Sequence, residues 1–357
     1  MKPSAQKIHL CTSENGVRLA YAVTGDGPPL VKAANYLTHL EHDWPVWKHW
    51  LESFSASHQL LRYDERGSGL SDWEVDKFSI DAWVEDLHAV TLAAGLDRFP
   101  VLGISQGASV AVAYAVKYPE RVSRLVLYGG YARGFFHRDL TPDQRLEAET
   151  MVNAIRLGWG KENPAFRQLF STLLMPDANA QQQHQLNELA RLSARPETAA
   201  RMEEAFYNIN VESLAPMVTT PTLVLHARND MCVPFEEGRR LAALIHGAEF
   251  VPVESNNHIL LAEENAWTEI SNRIQQFLGS APKSSNTPEG WSELTERELG
   301  VLDGIAQGMS NRQIAAKLQI SEKTVRNHIT RVFCKLGVGR RAEAIILARN
   351  FGLGVTD

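Results

Sequence analysis

Between residues 28 and 277, short apolar runs alternate with stretches whose apolar positions recur every three or four residues. The runs 28–31, 60–63, 100–104, 122–128, 222–226 and 250–253 are short and continuous, which predicts buried strands. Between them, Ile80, Trp83, Leu87, Val90 and Ala94 fall on one face of a helix over 79–96. Residues 108–116 are apolar nearly all round, as in a helix buried against a sheet, and Pro119 stops its continuation. A closing helix is predicted over 264–277, and Asn15-Gly16 between two β-prone runs predicts a hairpin. Trp44, Trp47 and Trp50 recur at three-residue intervals and are read as helix packing. Strand and helix in alternation imply an α/β fold with a mostly parallel sheet covered on both faces.

Two stretches break the alternation. Residues 133–217 are polar and helical in pattern with no strand signal, and are expected to form a helical lid at the carboxyl edge of the sheet. Residues 280–290 are rich in Pro, Ser, Asn and Gly without apolar periodicity and are read as a linker. From 291 the pattern is all-helical. Thr295 with Glu298 and Ser310 with Gln313 are capping boxes, Ser321 caps a third helix, and Gly337 stands where a helix stop is wanted. A fourth helix is expected over 342–348, and the turn 318–321 joins two helices as a helix-turn-helix. The expected domains are therefore 1–279, a linker over 280–290, and 291–357.

Composition narrows this picture. A chain of 357 residues accommodates a large domain and a small one, and its 44% apolar content allows a sizeable core. No run of eighteen apolar residues predicts a membrane span, and residues 1–10 lack the apolar stretch of a signal peptide. Cys11, Cys232 and Cys334 lie far apart, which argues against a disulfide framework or a zinc site. The expectation is a cytoplasmic protein without a membrane partner. Charge divides unevenly: 26 basic and 34 acidic residues precede Glu289, whereas residues 310–349 carry 9 basic and 2 acidic. An acidic body with a compact basic region is the asymmetry expected when only the latter meets phosphate.

The candidate chemistry begins at Gly103-Ile104-Ser105-Gln106-Gly107, a GxSxG pattern between a strand and a helix. In that setting a tight turn holds a serine Oγ clear of the backbone, and the glycines remove side chains that would collide. A serine hydroxyl needs a base, and the base needs an orienting carboxylate. Asp230 lies just past the strand ending near His226, and His258 just past the strand at 250–253, so all three sit at strand carboxyl ends in the order Ser, Asp, His. His39, Glu41, His42 and His49 match no strong zinc spacing, and no metal or cofactor is expected.

On these motifs residues 8–279 resemble the α/β-hydrolase superfamily, including the post-strand loop from Tyr63 to Asp72, which is read as structural. The resemblance implies Ser105 as nucleophile, His258 as base and Asp230 as orienter. It also implies an oxyanion hole built from the backbone N–H of Gln106 and one from the loop after the strand at 28–33. Where the family commonly has His-Gly, this chain has Ala34-Asn35; Tyr36 aligns with the donor, with Asn35 as the alternative. Backbone donation needs no particular side chain.

The segments 294–298, 310–315 and 321–328 closely resemble the LuxR-type (NarL/FixJ-like) helix-turn-helix family. That resemblance implies a helix over 322–336 entering the major groove of double-stranded operator DNA. Arg326, Asn327 and Thr330 would face base edges, and Lys323, Thr324 and Arg331 would favour phosphates. It further implies a homodimer formed through the helix at 341–349 and a two-half-site operator. The two resemblances together imply a transcription regulator that senses, and can hydrolyse, a small-molecule ligand. The alternative is a serine hydrolase of an ester, lactone or amide whose DNA-binding domain only localises it.

Overall fold

The computed structural model describes residues 6–279, 294–350, 353 and 354. The chain divides into two compact units, Met1–Gly279 and Ser280–Asp357. The expected linker over 280–290 lies outside the described residues.

In the first unit the described residues form one eight-stranded sheet. Its strands are β1 (Lys7–Thr12), β2 (Arg18–Thr24), β3 (Pro29–Lys32), β4 (Gln59–Tyr63), β5 (Phe99–Ile104), β6 (Val122–Tyr128), β7 (Thr222–Ala227) and β8 (Glu249–Val253). Across the sheet they run β1-β2-β4-β3-β5-β6-β7-β8. The hairpin β1–β2 and the β2–β4 pair are antiparallel, and every later pair is parallel. Gly16 turns the hairpin at φ +83°, a conformation open to glycine without steric cost.

The pleat divides the core. Val31, Leu61, Val101, Leu125, Leu127 and Val224 point to one face, where α2 (Ile80–Ala93), α3 (Gln106–Lys117) and α8 (Phe235–Leu244) cover them. Leu30, Leu60, Leu102, Ile104, Val126 and Leu225 point to the other, covered by α1 (Trp44–Ser55) and α9 (Asn265–Leu278). Trp50 is buried there against Tyr128 and Trp267, as a packing tryptophan should be. The stretch 133–217 supplies α4 (Pro142–Gly158), α5 (Ala165–Leu174), α6 (Ala180–Ser193) and α7 (Pro196–Tyr207). Thr141 and Asn179 close capping boxes on α4 and α6.

Sequence pattern missed α8. This helix is short, starts behind Pro234, and carries Gly238 where a Cβ would lie 2.3 Å from His226 Nδ1. The glycine permits the close approach that seats the helix, but it reads in sequence as a helix breaker.

The second unit packs α10 (Glu296–Ala306), α11 (Asn311–Leu318), α12 (Glu322–Leu336) and α13 (Arg341–Asn350) around one small core. Val301, Leu302, Ile305, Ile314, Val325 and Val332 are fully buried in it, with Leu299, Leu318 and Ile329 packed at its margin. Both expected capping boxes form, and Gly337 ends α12 in the left-handed region at φ +63°. Between α11 and α12, Gln319 adopts φ +54°, which makes the turn tight enough for Ser321 to cap the next helix. Among the described residues no helix is long and apolar enough to cross a membrane.

Candidate active site and nucleic-acid interface

Ser105 links β5 to α3 with φ +55° and ψ −128°. A non-glycine residue held there stores about 1–3 kcal/mol of strain, which the surrounding packing must overcome. The packing is visible. A Cβ at Gly103 would lie 2.6 Å from Ala108 Cα, and one at Gly107 would lie 2.8 Å from the Ala34 carbonyl oxygen. Both contacts are to backbone, so neither position admits a side chain without moving the turn. The second also shows that the loop after β3 lies directly against the first turn of α3. There the backbone N–H of Gln106 has no intrahelical acceptor, and the positive end of the helix dipole faces the serine.

That loop carries the expected second donor. Asn35 is buried, accepts a hydrogen bond from Lys32 Nζ at Oδ1, and donates through Nδ2 to the Tyr36 carbonyl at 3.1 Å. The Tyr36 hydroxyl donates to the Ala199 carbonyl at 2.8 Å, tying the loop to α7. The left-handed residue is Leu37, at φ +66°, and not Asn35. The chain therefore meets the turn's conformational demand two residues later than where a glycine would stand in the resembled pattern.

Past β7 and β8, Asp230 and His258 meet. His258 Nδ1 lies 2.6 Å from Asp230 Oδ2, and both side chains are buried. Asp230 Oδ1 accepts from the backbone N–H groups of Cys232 and Val233 at 2.8 and 2.9 Å. His226 Nε2 stands 3.6 Å from Oδ2 on the other side. Burial by itself would raise the carboxyl of Asp230. The charge and hydrogen bond of His258, with His226 and the Val233 N–H, outweigh burial and hold it below the usual range. His258 Nε2 is buried without a hydrogen-bond partner. Gly129 flanks the ring: a Cβ there would lie 2.9 Å from His258 Cε1.

Ser105 and His258 line one cavity with Asn35, Tyr36 and Gln106. Trp47 lines it too, so one of the three spaced tryptophans faces this space as well as packing. Much of the remaining wall comes from the 133–217 stretch and includes Phe135, Arg138, Phe170, Glu203, Phe206 and Tyr207. Glu203 is buried and hydrogen-bonded to Tyr207; burial pushes its carboxyl up to about 7 despite that bond. Sequence reasoning missed Arg138 and Glu203, because neither falls in a motif and only the docking of the helices brings them to the cavity.

The post-strand loop is braced by charges. Arg66 donates to both carboxylate oxygens of the buried Asp86 at 2.6 Å. Asp64 accepts from the N–H groups of Leu40 and Leu70 at 3.2 and 2.8 Å. Gln106 Nε2 reaches Glu65 at 3.5 Å, which ties this loop to the turn that holds Ser105. His39, Glu41 and His42 each bring a ligand atom within 4.8 Å of the others. His49 instead bonds the Leu260 carbonyl at 2.8 Å. The three are nearer than their spacing implied, with only His39 buried and its imidazole lowered to about 4 by burial and by His42.

On α12 the expected contact residues form one stripe. Lys323, Arg326, Asn327, Thr330 and Arg331 are exposed, at helical spacing, opposite the buried Val325, Val332 and Leu336. Thr324 is half-buried, its hydroxyl 2.8 Å from the capping Ser321 Oγ. Arg326 has only a 3.9 Å contact with Glu322, and Lys323 and Arg331 form no ion pair among the described residues. The cationic groups are thus free to meet phosphate or base edges.

Comparison with known proteins agrees on both units. The alpha/beta hydrolase fold family matches residues 40–265, and the luxR family of bacterial regulatory proteins matches residues 292–348. The pyrrolizixenacetamide deacetylase of Xenorhabdus hominickii is 26% identical over 254 residues, covering 69% of this chain and 91% of that protein. The nitrate/nitrite response regulator protein NarP of Escherichia coli is 47% identical over 77 residues, which are 22% of this chain and 36% of that protein. Among solved structures, an esterase from Exiguobacterium antarcticum superimposes with a TM-score of 0.66 at 19% identity, covering 76% of this chain and 99% of that one. The enol-lactonase from Burkholderia xenovorans gives 0.60 at 21% identity, over 76% and 100%. Likeness at this identity concerns the fold.

Proposed function

Because the chain belongs to the alpha/beta hydrolase fold family and carries a luxR-family DNA-binding domain, we propose that it is a transcription regulator whose hydrolase domain senses and hydrolyses a small-molecule ligand. The observation that carries the reading is a buried Asp230–His258 pair that lines one cavity with a strained Ser105, in a chain that also presents an exposed cationic stripe on α12.

The chemistry follows from the groups present. Ser105 Oγ attacks the ligand carbonyl carbon while His258 Nε2 takes its proton, and Asp230 stabilises the imidazolium through Nδ1. The backbone N–H groups of Gln106 and of Tyr36, or Asn35, receive the developing oxyanion. Collapse breaks the carbonyl–heteroatom bond, and the leaving group departs with the proton from His258. Water, deprotonated by the same imidazole, then releases the acyl group from Ser105.

Regulation requires that the ligand bind two states of the protein unequally. Ligand in the cavity touches the helices of the 133–217 lid, and a homodimer formed through α13 turns a change in those helices into altered half-site engagement. To test this, an operator is selected from random DNA with the full chain, and its affinity is measured with a panel of short esters, lactones and amides. A ligand-dependent change of about fivefold or more supports regulation. If compounds turned over at Ser105 leave operator affinity unchanged, the reading as a DNA-localised hydrolase replaces it.

A further inference from the structure

The cavity beside Ser105 is walled in part by a cation that the rest of the described protein compensates only in part. Arg138 lines this cavity, and its side chain is only 11% exposed. Its guanidinium forms no hydrogen bond among the described residues, and its Nε is buried without a partner. The nearest carboxylate is Glu237, whose Oε1 lies 3.9 Å from that Nε, beyond hydrogen-bond reach. Glu237 is already engaged, because Arg133 donates to it through Nε and Nη2 at 3.1–3.3 Å. Two guanidinium groups therefore share one buried carboxylate. Two further acids act on Arg133: Glu212, which is itself paired with Arg240 at 2.5 Å, and Asp139, 4.0 Å away and fully exposed, where solvent screens it. Around Arg138 stand the rings of Phe135 and Tyr131, with centroids 5.3 and 5.8 Å from Cζ.

A guanidinium has five N–H donors and stays charged at neutral pH, so leaving it buried and unpaired is costly. Burial lowers its pKa despite Glu237. Glu203, the acid that lines the same cavity, is bonded to Tyr207 and has its carboxyl pushed up to about 7, so it supplies no full opposing charge. What Arg138 lacks is a planar acceptor with one negative charge, the partner its fork fits with two parallel bonds. A phosphate monoester would bring more charge than this partly paired cation balances. The free space beside Ser105, about 80 Å³, is room for several water-sized groups at about 10–15 Å³ each, so the segment joining a carbonyl at Ser105 to a group at Arg138 is short; beyond Phe135, Phe170, Glu203 and Tyr207 lies a wider groove of about 760 Å³.

We propose that the small molecule bound in this cavity carries a carboxylate at one end, that Arg138 binds it, and that this contact sets the hydrolysable carbonyl at Ser105. The proposal rests on the reading of the cavity as the ligand site. It makes Arg138 a specificity determinant and the substrate class a short-chain monoester, lactone or monoamide bearing a free acid.

Binding in the absence of turnover tests it. The full chain with Ser105→Ala is titrated calorimetrically with the monomethyl esters of succinate, glutarate and adipate. Each is paired with a neutral analogue in which an isopropyl group replaces the carboxylate. At one or more chain lengths the charged ester is expected to bind at least tenfold tighter than its analogue, and adding Arg138→Met abolishes that preference. Arg138→Gln, which keeps donors and loses the charge, serves the same purpose if the Met variant does not fold. Equal binding of charged and neutral compounds at every length, or a preference that survives loss of the Arg138 charge, overturns the proposal. Because binding is read in the Ser105→Ala chain and turnover in the wild type, a carboxylate preference in the variant beside no ester turnover by the wild type keeps this inference and loses the hydrolytic reading.

Discussion

In the first domain charged side chains are drawn inward. Lys32, Asp43, Arg62, Asp64, Glu65, Arg66 and Asp86 are all buried, and Glu65 reaches Gln106 beside Ser105. On α12 the arrangement is reversed: Lys323, Arg326 and Arg331 stand in solvent while only apolar residues reach the core. The difference separates two uses of charge. Buried groups are spent on holding a backbone shape and cannot meet a partner of the protein, whereas exposed ones contribute little to the fold and are open to a polyanion. Arg138 is the exception that belongs to neither set, since it is buried and still lacks a full partner.

The largest effect that can break this comparison is on catalysis. Ser105→Ala or His258→Ala is expected to lower hydrolysis of short esters by about 10⁴-fold or more, with operator affinity of the unliganded protein unaltered. Assay of both on one preparation checks it. Loss of DNA binding in either variant would mean that the two charge systems are not separable.

A second effect concerns stability against pH. Burial pushes Asp86 up to about 6, Asp64 to about 7, Glu203 to about 7 and Glu65 to about 8. The unfolded chain releases these protons near pH 4, while the folded domain keeps them to higher pH. Between those limits folding takes up protons, so stability falls as pH rises from about 4.5 to 8. The burial-lowered ammonium of Lys32 gives up its proton only near 8, at the edge of that window. In the DNA-binding domain the sign is opposite. The hydrogen bond from Lys335, with Thr295, holds Glu298 near 2, so its contribution is present above the ordinary carboxylate range and is lost as pH falls through 2. Seven of the eight tryptophans precede residue 280, so their fluorescence follows the first domain. Its urea midpoint should be lower at pH 8 than at pH 5; an unchanged or higher midpoint removes the buried-carboxyl account.

How far the sequence could be read follows the same division. The strands were legible because parallel strands buried on both faces read as continuous apolar runs, as at Leu125-Val126-Leu127. Ser105, Asp230 and His258 were legible because each stands at a strand end, where the topology itself brings them together. The α12 stripe was legible because helical spacing alone sorts Arg326 outward and Val325 inward. Arg138 and Glu203 were not legible. Their positions depend on how the helices of 133–217 dock, which is decided by packing of Trp159, Phe170 and Phe206 around Tyr36 and leaves no mark in local spacing. The helix α8 was hidden by the glycine that its packing on His226 requires.

Smaller effects sharpen the second half of the comparison. Arg326→Ala should weaken specific operator binding by about 1–3 kcal/mol and relax discrimination at one base position. Footprints identical to wild type would place base reading elsewhere on α12. Smaller still, Lys323→Ala should weaken binding evenly across sequences and reduce the salt dependence by about one counterion. Titrations at several salt concentrations distinguish the two, and a sequence-specific loss at Lys323 would contradict the assignment to phosphate.

If the two domains communicate, occupancy of the Ser105 cavity is felt at the DNA. The most direct measurement labels Ser105 of the full chain stoichiometrically with a small alkyl fluorophosphonate and compares labelled and unlabelled protein for affinity to the selected operator. The account predicts a difference of about fivefold or more, the scale of ordinary coupling between sites. Identical affinities with complete labelling would contradict it and leave the two domains as neighbours without communication.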